Sequence, residues 1–149
     1  MNDNWQNSTN INWYPGHMLK TKKQIIEDLK LIDVIIEILD ARIPLASQNP
    51  DIKQITANKK KIIVLNKSDL ANEAETKKWI EFFKNQGIIA IATDSNLGKG
   101  VKETLKLVQE VMQEELEKAS MKGIKNKNIR IMICGIPNVG KSSFINRMI

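Results

Sequence analysis

The sequence predicts an α/β fold of three layers, with a mainly parallel sheet and helices on both of its faces. Three observations predict it. Runs of branched apolar residues, such as Val34-Ile35-Ile36 and Ile62-Ile63-Val64-Leu65, alternate with segments of helical periodicity, the pattern of βαβ units. The runs are continuously apolar, as strands covered on both faces are. The last run leads into a glycine-rich loop and then a helix start. A chain of 149 residues suits one domain. At that length roughly 68–70% of the unfolded surface is buried on folding, so no disulfide or metal staple is needed.

Each element has its own reason. Residues 1–12 are polar and Asn-rich and are expected to form a flexible tail. The segment Ile11-Asn12-Trp13-Tyr14-Pro15-Gly16-His17-Met18 is aromatic and broken by a Pro-Gly turn. A helix is expected from Leu19 to Leu31, with Ile25, Ile26 and Leu29 on one face. Asp33 to Leu39 reads as a strand, followed by Asp40-Ala41-Arg42-Ile43-Pro44. Pro44 and Pro50 hold the next stretch in loops, and a short helix is expected near Asp51–Asn58. A second strand, Lys61 to Leu65, ends in Asn66-Lys67-Ser68-Asp69. Glu73 to Gln86 is expected to be a helix carrying Trp79, Ile80 and Phe83, with Gly87 as its stop. Ile88 to Ala92 forms a third strand, and Thr93 to Gly100 a polar turn. Val101, Leu105, Val108, Met112 and Leu116 recur at helical spacing and predict one long amphipathic helix. Ala119 to Asn128 reads as a basic linker. Ile129 to Cys134 is the fourth strand.

Composition narrows the function classes. There are 23 basic and 17 acidic residues, a net charge of +6, with 42% apolar and 27% charged residues, which is ordinary globular usage. Cys134 is the sole cysteine, so the chain has no disulfide framework and no cysteine-based zinc site. No apolar run is long enough to span a membrane, and the N-terminus has no signal-peptide core. A reduced cytoplasmic compartment is the simplest reading. The positive charge is a weak pointer to an anionic partner, because 20 of the 23 basic residues are lysine in a chain also rich in Ile and Asn. The lysine clusters at 20–23, 59–61 and 122–127 read either as phosphate-backbone contacts or as solvated faces.

Two motifs carry chemistry. Gly135-Ile136-Pro137-Asn138-Val139-Gly140-Lys141-Ser142 matches G-x-x-x-x-G-K-[ST] between a strand and a helix, the context that motif requires. Its glycines let the backbone curl around a phosphate, with the amides from Asn138 through Val139, Gly140, Lys141 and Ser142 to Ser143 turned inward at a helix N-terminus. Lys141 can reach the β and γ phosphates, and the Ser142 hydroxyl can ligate Mg²⁺. Asn66-Lys67-Ser68-Asp69 matches N-K-x-D. The Asp69 carboxylate can accept both N1–H and N2–H of guanine, a donor pair adenine lacks. Asn66 supports the base edge and the loop, and the Lys67 stem packs on the ring. In a chain rich in Asn and Lys the four-residue pattern alone is weak. Its place at a strand's C-terminal end is where ligands bind in such sheets.

The order of the two motifs is informative. N-K-x-D precedes the phosphate loop by about 70 residues, the reverse of ordinary GTPases. With Trp13-Tyr14-Pro15-Gly16-His17-Met18, Asp40-Ala41-Arg42-Ile43-Pro44 and Asn49-Pro50, the chain from about Asn12 to Ile149 resembles the YlqF/RbgA family. These are circularly permuted GTPases that act in assembly of the large ribosomal subunit. The resemblance implies a circularly permuted Ras-like P-loop GTPase fold, incomplete here, with 13–149 as the N-terminal portion of the G domain. It implies GTP and GDP binding, Mg²⁺, slow hydrolysis stimulated by the ribosome, and a large-subunit rRNA partner through the full-length protein, with no membrane or DNA partner. The four strands then correspond to the fourth, fifth, sixth and first strands of a Ras-like sheet, and these lie side by side. On that correspondence Ile129–Cys134 stands at an edge of this fragment.

The resemblance also bears on single residues. His17, the sole histidine, replaces the usual catalytic glutamine as a proposed positioner of the attacking water. The alternative is a loop histidine with a structural or partner-contact role. Ser95, in Thr93-Asp94-Ser95-Asn96, stands in the second base-contacting loop. Asn138 resembles the asparagine that supports a monovalent cation in related GTPases, which leaves K⁺ dependence open. Asp40 and Arg42 are expected to form a capping ion pair rather than touch nucleotide, and Cys134 to be a small core residue.

A working GTPase also needs a switch threonine and a D-x-x-G element, and in the permuted order both follow the phosphate loop. Neither occurs after Gly135, so the chain is expected to be a truncated form. Two readings remain open: a GTPase of large-subunit assembly, or a non-catalytic fragment that binds guanine nucleotide or RNA. A permuted GTPase of small-subunit maturation is set aside. Residues 1–31 are too short for its N-terminal barrel, and a single cysteine excludes its usual zinc module.

Overall fold

The structure, a computed structural model, describes residues 9–13, 22–125, 127–136 and 139–148, with backbone alone at 9–13 and 22. The described strands are β1 (Thr9–Trp13), β2 (Val34–Asp40), β3 (Lys60–Asn66), β4 (Ile89–Ala92) and β5 (Ile129–Cys134). They form one sheet in the order β1-β5-β2-β3-β4, with every pairing parallel. The described helices are α1 (Lys22–Leu29), α2 (Pro50–Ile55), α3 (Glu73–Lys84), α4 (Val101–Val111), α5 (Gln113–Met121) and α6 (Lys141–Met148).

The three expected layers are present. β2 lies at the centre and is buried at every position. One face of the sheet (Val34, Ile36, Ile38, Ile62, Val64, Ile131 and Ile133) packs against Val101, Leu105 and Val108 of α4 and Phe144 of α6. The other face divides. Ile35, Met132 and Cys134 meet Ile25 and Leu29 of α1 and Ile52 of α2. Leu39, Ile63 and Leu65 meet Phe83 of α3. Burying one such Ile, Leu or Phe contributes about 1.5–3 kcal/mol relative to leaving it in water.

Between these two patches on β2 sits Glu37, whose carboxylate lies 3.1 Å from the Lys61 ammonium. Both side chains are buried, and Gln48 Nε2 donates to Glu37 at 3.3 Å. Lys61 therefore belongs to the interior, not to a solvated or nucleic-acid-binding cluster. Lys59 donates to the Ile32 carbonyl, and Lys60 pairs with Glu115. Local chemistry sets the helix starts. Asn49 caps α2 just ahead of Pro50, and the Asn72 side chain accepts the Glu75 N–H at 3.1 Å to cap α3.

The structure departs from the sequence reading in three further places. Thr9–Asn12, expected within the flexible tail, lie in β1, which pairs with β5 from Thr9↔Ile129 to Trp13↔Ile133. β5 is therefore flanked on both sides and is no edge strand. A parallel ladder needs only backbone donors and acceptors, so a polar segment can satisfy the groups of an apolar strand. Second, the expected long helix is two helices, broken at Met112 (φ −99°, ψ 1°), and α5 runs into the expected linker as far as Met121. The buried stripe continues through Met112 itself, which is why periodicity hides the break. Third, a 3₁₀ turn, Ser68–Leu70, follows β3.

Because all strands are parallel, the loops after β2, β3, β4 and β5 leave from one edge of the sheet, where ligands bind in this architecture. No described helix is long and apolar enough to cross a membrane.

Candidate functional site

Three loops meet at that edge: 66–70 after β3, 93–100 after β4, and the glycine-rich loop after β5. Asn66 joins them. Its side chain is buried and all four of its hydrogen-bonding positions are used. Nδ2 donates to the Val139 carbonyl at 2.8 Å and to Ser95 Oγ at 3.0 Å. Oδ1 accepts from Thr93 Oγ1 at 2.9 Å and from the Ser95 N–H at 3.0 Å. An amide has two N–H donors and a carbonyl with two lone pairs, so Asn66 has nothing left over. Residues 66 and 139, far apart in the chain, are thus in direct contact.

The chain turns sharply after Asn66. Lys67 has φ 62° and is the one described non-glycine residue with positive φ. That conformation costs roughly 1–2 kcal/mol for an L-residue. The turn is held by the Ser68 N–H, which donates to the Thr93 carbonyl at 3.0 Å, and by the Leu70 N–H, which donates to Lys67. Its consequence is that Asp69 stands exposed while Asn66 is buried. A solvent-facing carboxylate three residues past a locked asparagine is free to accept a ligand's donors.

The glycine-rich loop is shaped by close approach. Gly140 has φ +90°, and a Cβ there would collide with the Asn66 amide. A Cβ on Gly135 would come to 2.8 Å from the Ile38 carbonyl. Only glycine fits at these two positions, so the motif's two invariant glycines are explained by contacts with β2 and with the N-K-x-D loop. Val139 is buried, Ser142 is exposed at the start of α6, and Ser143 is half-buried. Lys141 is buried and donates from Nζ to the Gly135 carbonyl at 2.6 Å. Burial pushes its ammonium below the ordinary lysine value. A cation held over a loop of backbone amides at a helix start suits a polyphosphate.

The structure thus brings Asn66, Lys67, Asp69, Ser95, Val139, Gly140, Lys141, Ser142 and Ser143 to one edge. Ser95 is buried, and both its hydroxyl and its N–H engage Asn66. His17 and Asn138 lie outside the described residues. Among the described residues no group of three or more His, Cys, Asp or Glu is placed to hold a metal ion.

Next to this edge Asp40 and Arg42 form a two-pronged pair. Arg42 Nε donates to Asp40 Oδ1 at 3.0 Å and a terminal nitrogen to Oδ2 at 2.7 Å, while the Arg42 N–H also donates to Oδ1. Hydrogen bonding to Arg42 holds the Asp40 carboxyl below its ordinary value. The Asp40 N–H in turn donates to Ser47 Oγ at 2.9 Å. The expected capping ion pair is what forms. Cys134 is buried, and burial pushes its thiol well above the ordinary value.

Sequence reasoning missed Arg147. From the last turn of α6 its Nε donates to the Ser95 carbonyl at 3.2 Å, and a terminal nitrogen donates to the Asn96 carbonyl. A lone basic residue in a helix's last turn carries no sequence signal beyond a favourable dipole contact.

Residues 130–149 match the model of a family described as 50S ribosome-binding GTPase. The chain is 48% identical over 139 residues to ribosome biogenesis GTPase A of Priestia megaterium, covering 93% of this chain and 48% of that protein. The corresponding protein of Bacillus cereus is 47% identical over 138 residues, covering 93% and 47%. The crystal structure of GNP-bound YlqF from T. maritima superposes with a TM-score of 0.62 at 37% identity, covering 85% of this chain and 46% of that one. The chain therefore spans about half the length of the curated relatives it matches. Over nearly all of its own length, in sequence and in fold, the chain is a homologue of the YlqF/RbgA family of GTPases.

Proposed function

We propose that this chain holds the guanine nucleotide of a GTPase that hydrolyses GTP to GDP during assembly of the large ribosomal subunit. One observation carries the reading. Asn66 bonds both Ser95 and the Val139 carbonyl, so two motifs that suit guanine and phosphate separately form one continuous site. Asp69 accepts the guanine N1–H and N2–H, and Lys67 lies along the base. Gly140, Lys141, Ser142 and Ser143 receive the phosphates, with the side chain of Lys141 turning from Gly135 to the β and γ oxygens. Ser142 holds Mg²⁺, which would neutralise charge on the phosphates when bound. Asn138 is a candidate for a K⁺ site beside them.

The G domain is circularly permuted on this reading. N-K-x-D precedes the phosphate loop in the chain, and β5, β2, β3 and β4 stand in the spatial order that four strands of a Ras-like sheet would take. His17 is assigned to orienting the attacking water. The support is positional: β1 ends at Trp13, paired with Ile133, two residues before the phosphate loop begins and four before His17. The cytoplasm is the compartment, and rRNA of the large subunit the macromolecular partner.

Fluorescent GDP tests the reading directly. GDP should be displaced by unlabelled GDP and GTP at least a hundredfold more readily than by ADP. Asp69→Asn should exchange that preference for xanthine nucleotides, because the amide presents a donor where the carboxylate presented an acceptor. Equal competition by ADP would sink the proposal.

A further inference from the structure

Arg147 is tied to the site by geometry but uses none of the motif chemistry. Its guanidinium forks onto two successive carbonyls, Ser95 and Asn96, of the loop after β4. Its stem lies alongside Gly98, where an added Cβ would meet the guanidinium at 3.6 Å. The same loop is held by Asn66, through the Ser95 N–H and hydroxyl, and by its own bonds. The Gly98 N–H donates to the Ser95 carbonyl at 3.3 Å and the Leu97 N–H to Asp94 Oδ1 at 3.4 Å, which leaves the Asn96 N–H as the donor that Arg147 would aim. Thr93 is locked as well, since its N–H donates to Leu65 at 2.9 Å. The 95–97 peptides are therefore gripped between α6 and the N-K-x-D loop.

In a trans peptide the C=O and the following N–H point in opposite directions. An Arg147 that holds the Ser95 carbonyl toward α6 also aims the Asn96 N–H away from α6. A guanine needs such a donor. Asp69 can accept its N1–H and N2–H, but the adjacent O6 is an acceptor, and a carboxylate cannot satisfy it. The donor has to come from a neighbouring loop, and 93–98 is the loop that Asn66 holds beside Asp69's own.

We propose that Arg147 is a positioning residue for base recognition: it fixes the 95–97 peptides so that a backbone N–H meets guanine O6. This rests on the nucleotide reading above. Arginine suits the task because its planar fork sets two carbonyls at once, whereas lysine offers a single point charge.

The test compares three diphosphates in competition against fluorescent GDP: GDP, inosine diphosphate, which lacks the 2-amino group, and 2-aminopurine riboside diphosphate, which lacks O6 and with it the N1 proton, a loss that Asp69 reads equally in the variants and the unsubstituted protein. In Arg147→Ala the preference for GDP over the 2-aminopurine nucleotide should fall about fivefold, while the preference for GDP over inosine diphosphate, which reads Asp69, stays unchanged. Arg147→Lys should restore part of the loss, and it carries the test with an expected fall of about twofold if the alanine variant does not fold. An equal loss for all three nucleotides, or none, overturns the proposal. If the unsubstituted protein binds no GDP, the nucleotide reading falls and takes this proposal with it. If it binds GDP and the ratio does not move in the variants, only the role of Arg147 falls.

Discussion

The two halves of the site are built in opposite ways. The proposed base side, loops 66–70 and 93–100, is organised by side chains: Asn66 is saturated by Thr93, Ser95 and the Val139 carbonyl, and Arg147 holds the Ser95 carbonyl. The proposed phosphate side is organised by backbone: two glycines that tolerate no Cβ, a helix start, and one buried lysine resting on a carbonyl. A side-chain network is rigid and specific but fails when one member is removed. A backbone cradle owes its shape to its glycines and loses it where a Cβ intrudes. Guanine has to be told from adenine, whereas phosphates need only be held. The Val139 carbonyl, bonded by Asn66, is where the two constructions meet.

The largest expected effect comes from removing that junction. Asn66→Ala deletes four hydrogen bonds and leaves the buried Val139 carbonyl and Ser95 N–H without partners. At about 1 kcal/mol per bond the loss of stability should be at least about 4 kcal/mol, and the stranded groups add to it. Urea unfolding at neutral pH reads it. A loss below 1 kcal/mol would mean that the network forms only with nucleotide bound, and the contrast between the halves would disappear.

Gly140→Ala attacks the junction from the phosphate side. The substitution forces an L-residue to φ +90° and drives its Cβ into the Asn66 amide. The expected cost is about 3 kcal/mol. Because the clash is with Asn66, the double variant Asn66→Ala/Gly140→Ala should lose less than the sum of the two single losses. Strict additivity in the same urea experiment would show that the halves do not share a residue energetically.

How far the site could be read from sequence follows the same division. The phosphate loop was legible because a backbone cradle needs glycines at fixed spacing beside a lysine, all within eight residues. Asp69 was legible for a similar reason. The saturation of Asn66 was not, since its partners lie 27 to 73 residues away. Arg147 stayed hidden because its partners are 51 and 52 residues distant. In the fold, β2, β3 and β5 announce themselves by branched apolar runs that both faces of the sheet demand. β1 does not: Thr9-Asn10-Ile11-Asn12-Trp13 is a polar segment that joins the sheet by pairing with β5, about 120 residues on. Lys61 reads as surface by residue type, and only the buried Glu37 beside it explains its place.

The smallest effect tests whether the base side extends to the loop after β2. Asp40 pairs in register with Asn66, and the Ala41 N–H donates to the Asn66 carbonyl at 2.8 Å, so the Asp40–Arg42 pair abuts the network without joining it. Hydrogen bonds from Arg42 hold the Asp40 carboxyl below its ordinary value of 3.8. A group whose folded value is depressed binds protons more readily in the unfolded state. Its stabilising contribution is therefore complete above pH 3.8 and is lost as the pH falls through the lower folded value. Arg42 is largely solvent-exposed, so screening limits the contribution to about 1 kcal/mol. Asp40→Asn should then lower the urea-unfolding free energy by about that amount at pH 7, with the difference from the unsubstituted protein shrinking steadily below pH 4. Guanine preference should be unchanged, because the carboxylate serves the loop and touches neither Asp69 nor the Asn66 side chain. A pH-independent difference would mean that the amide fails by shape rather than by charge. A loss of guanine preference would extend the side-chain network one strand further than its hydrogen bonds reach.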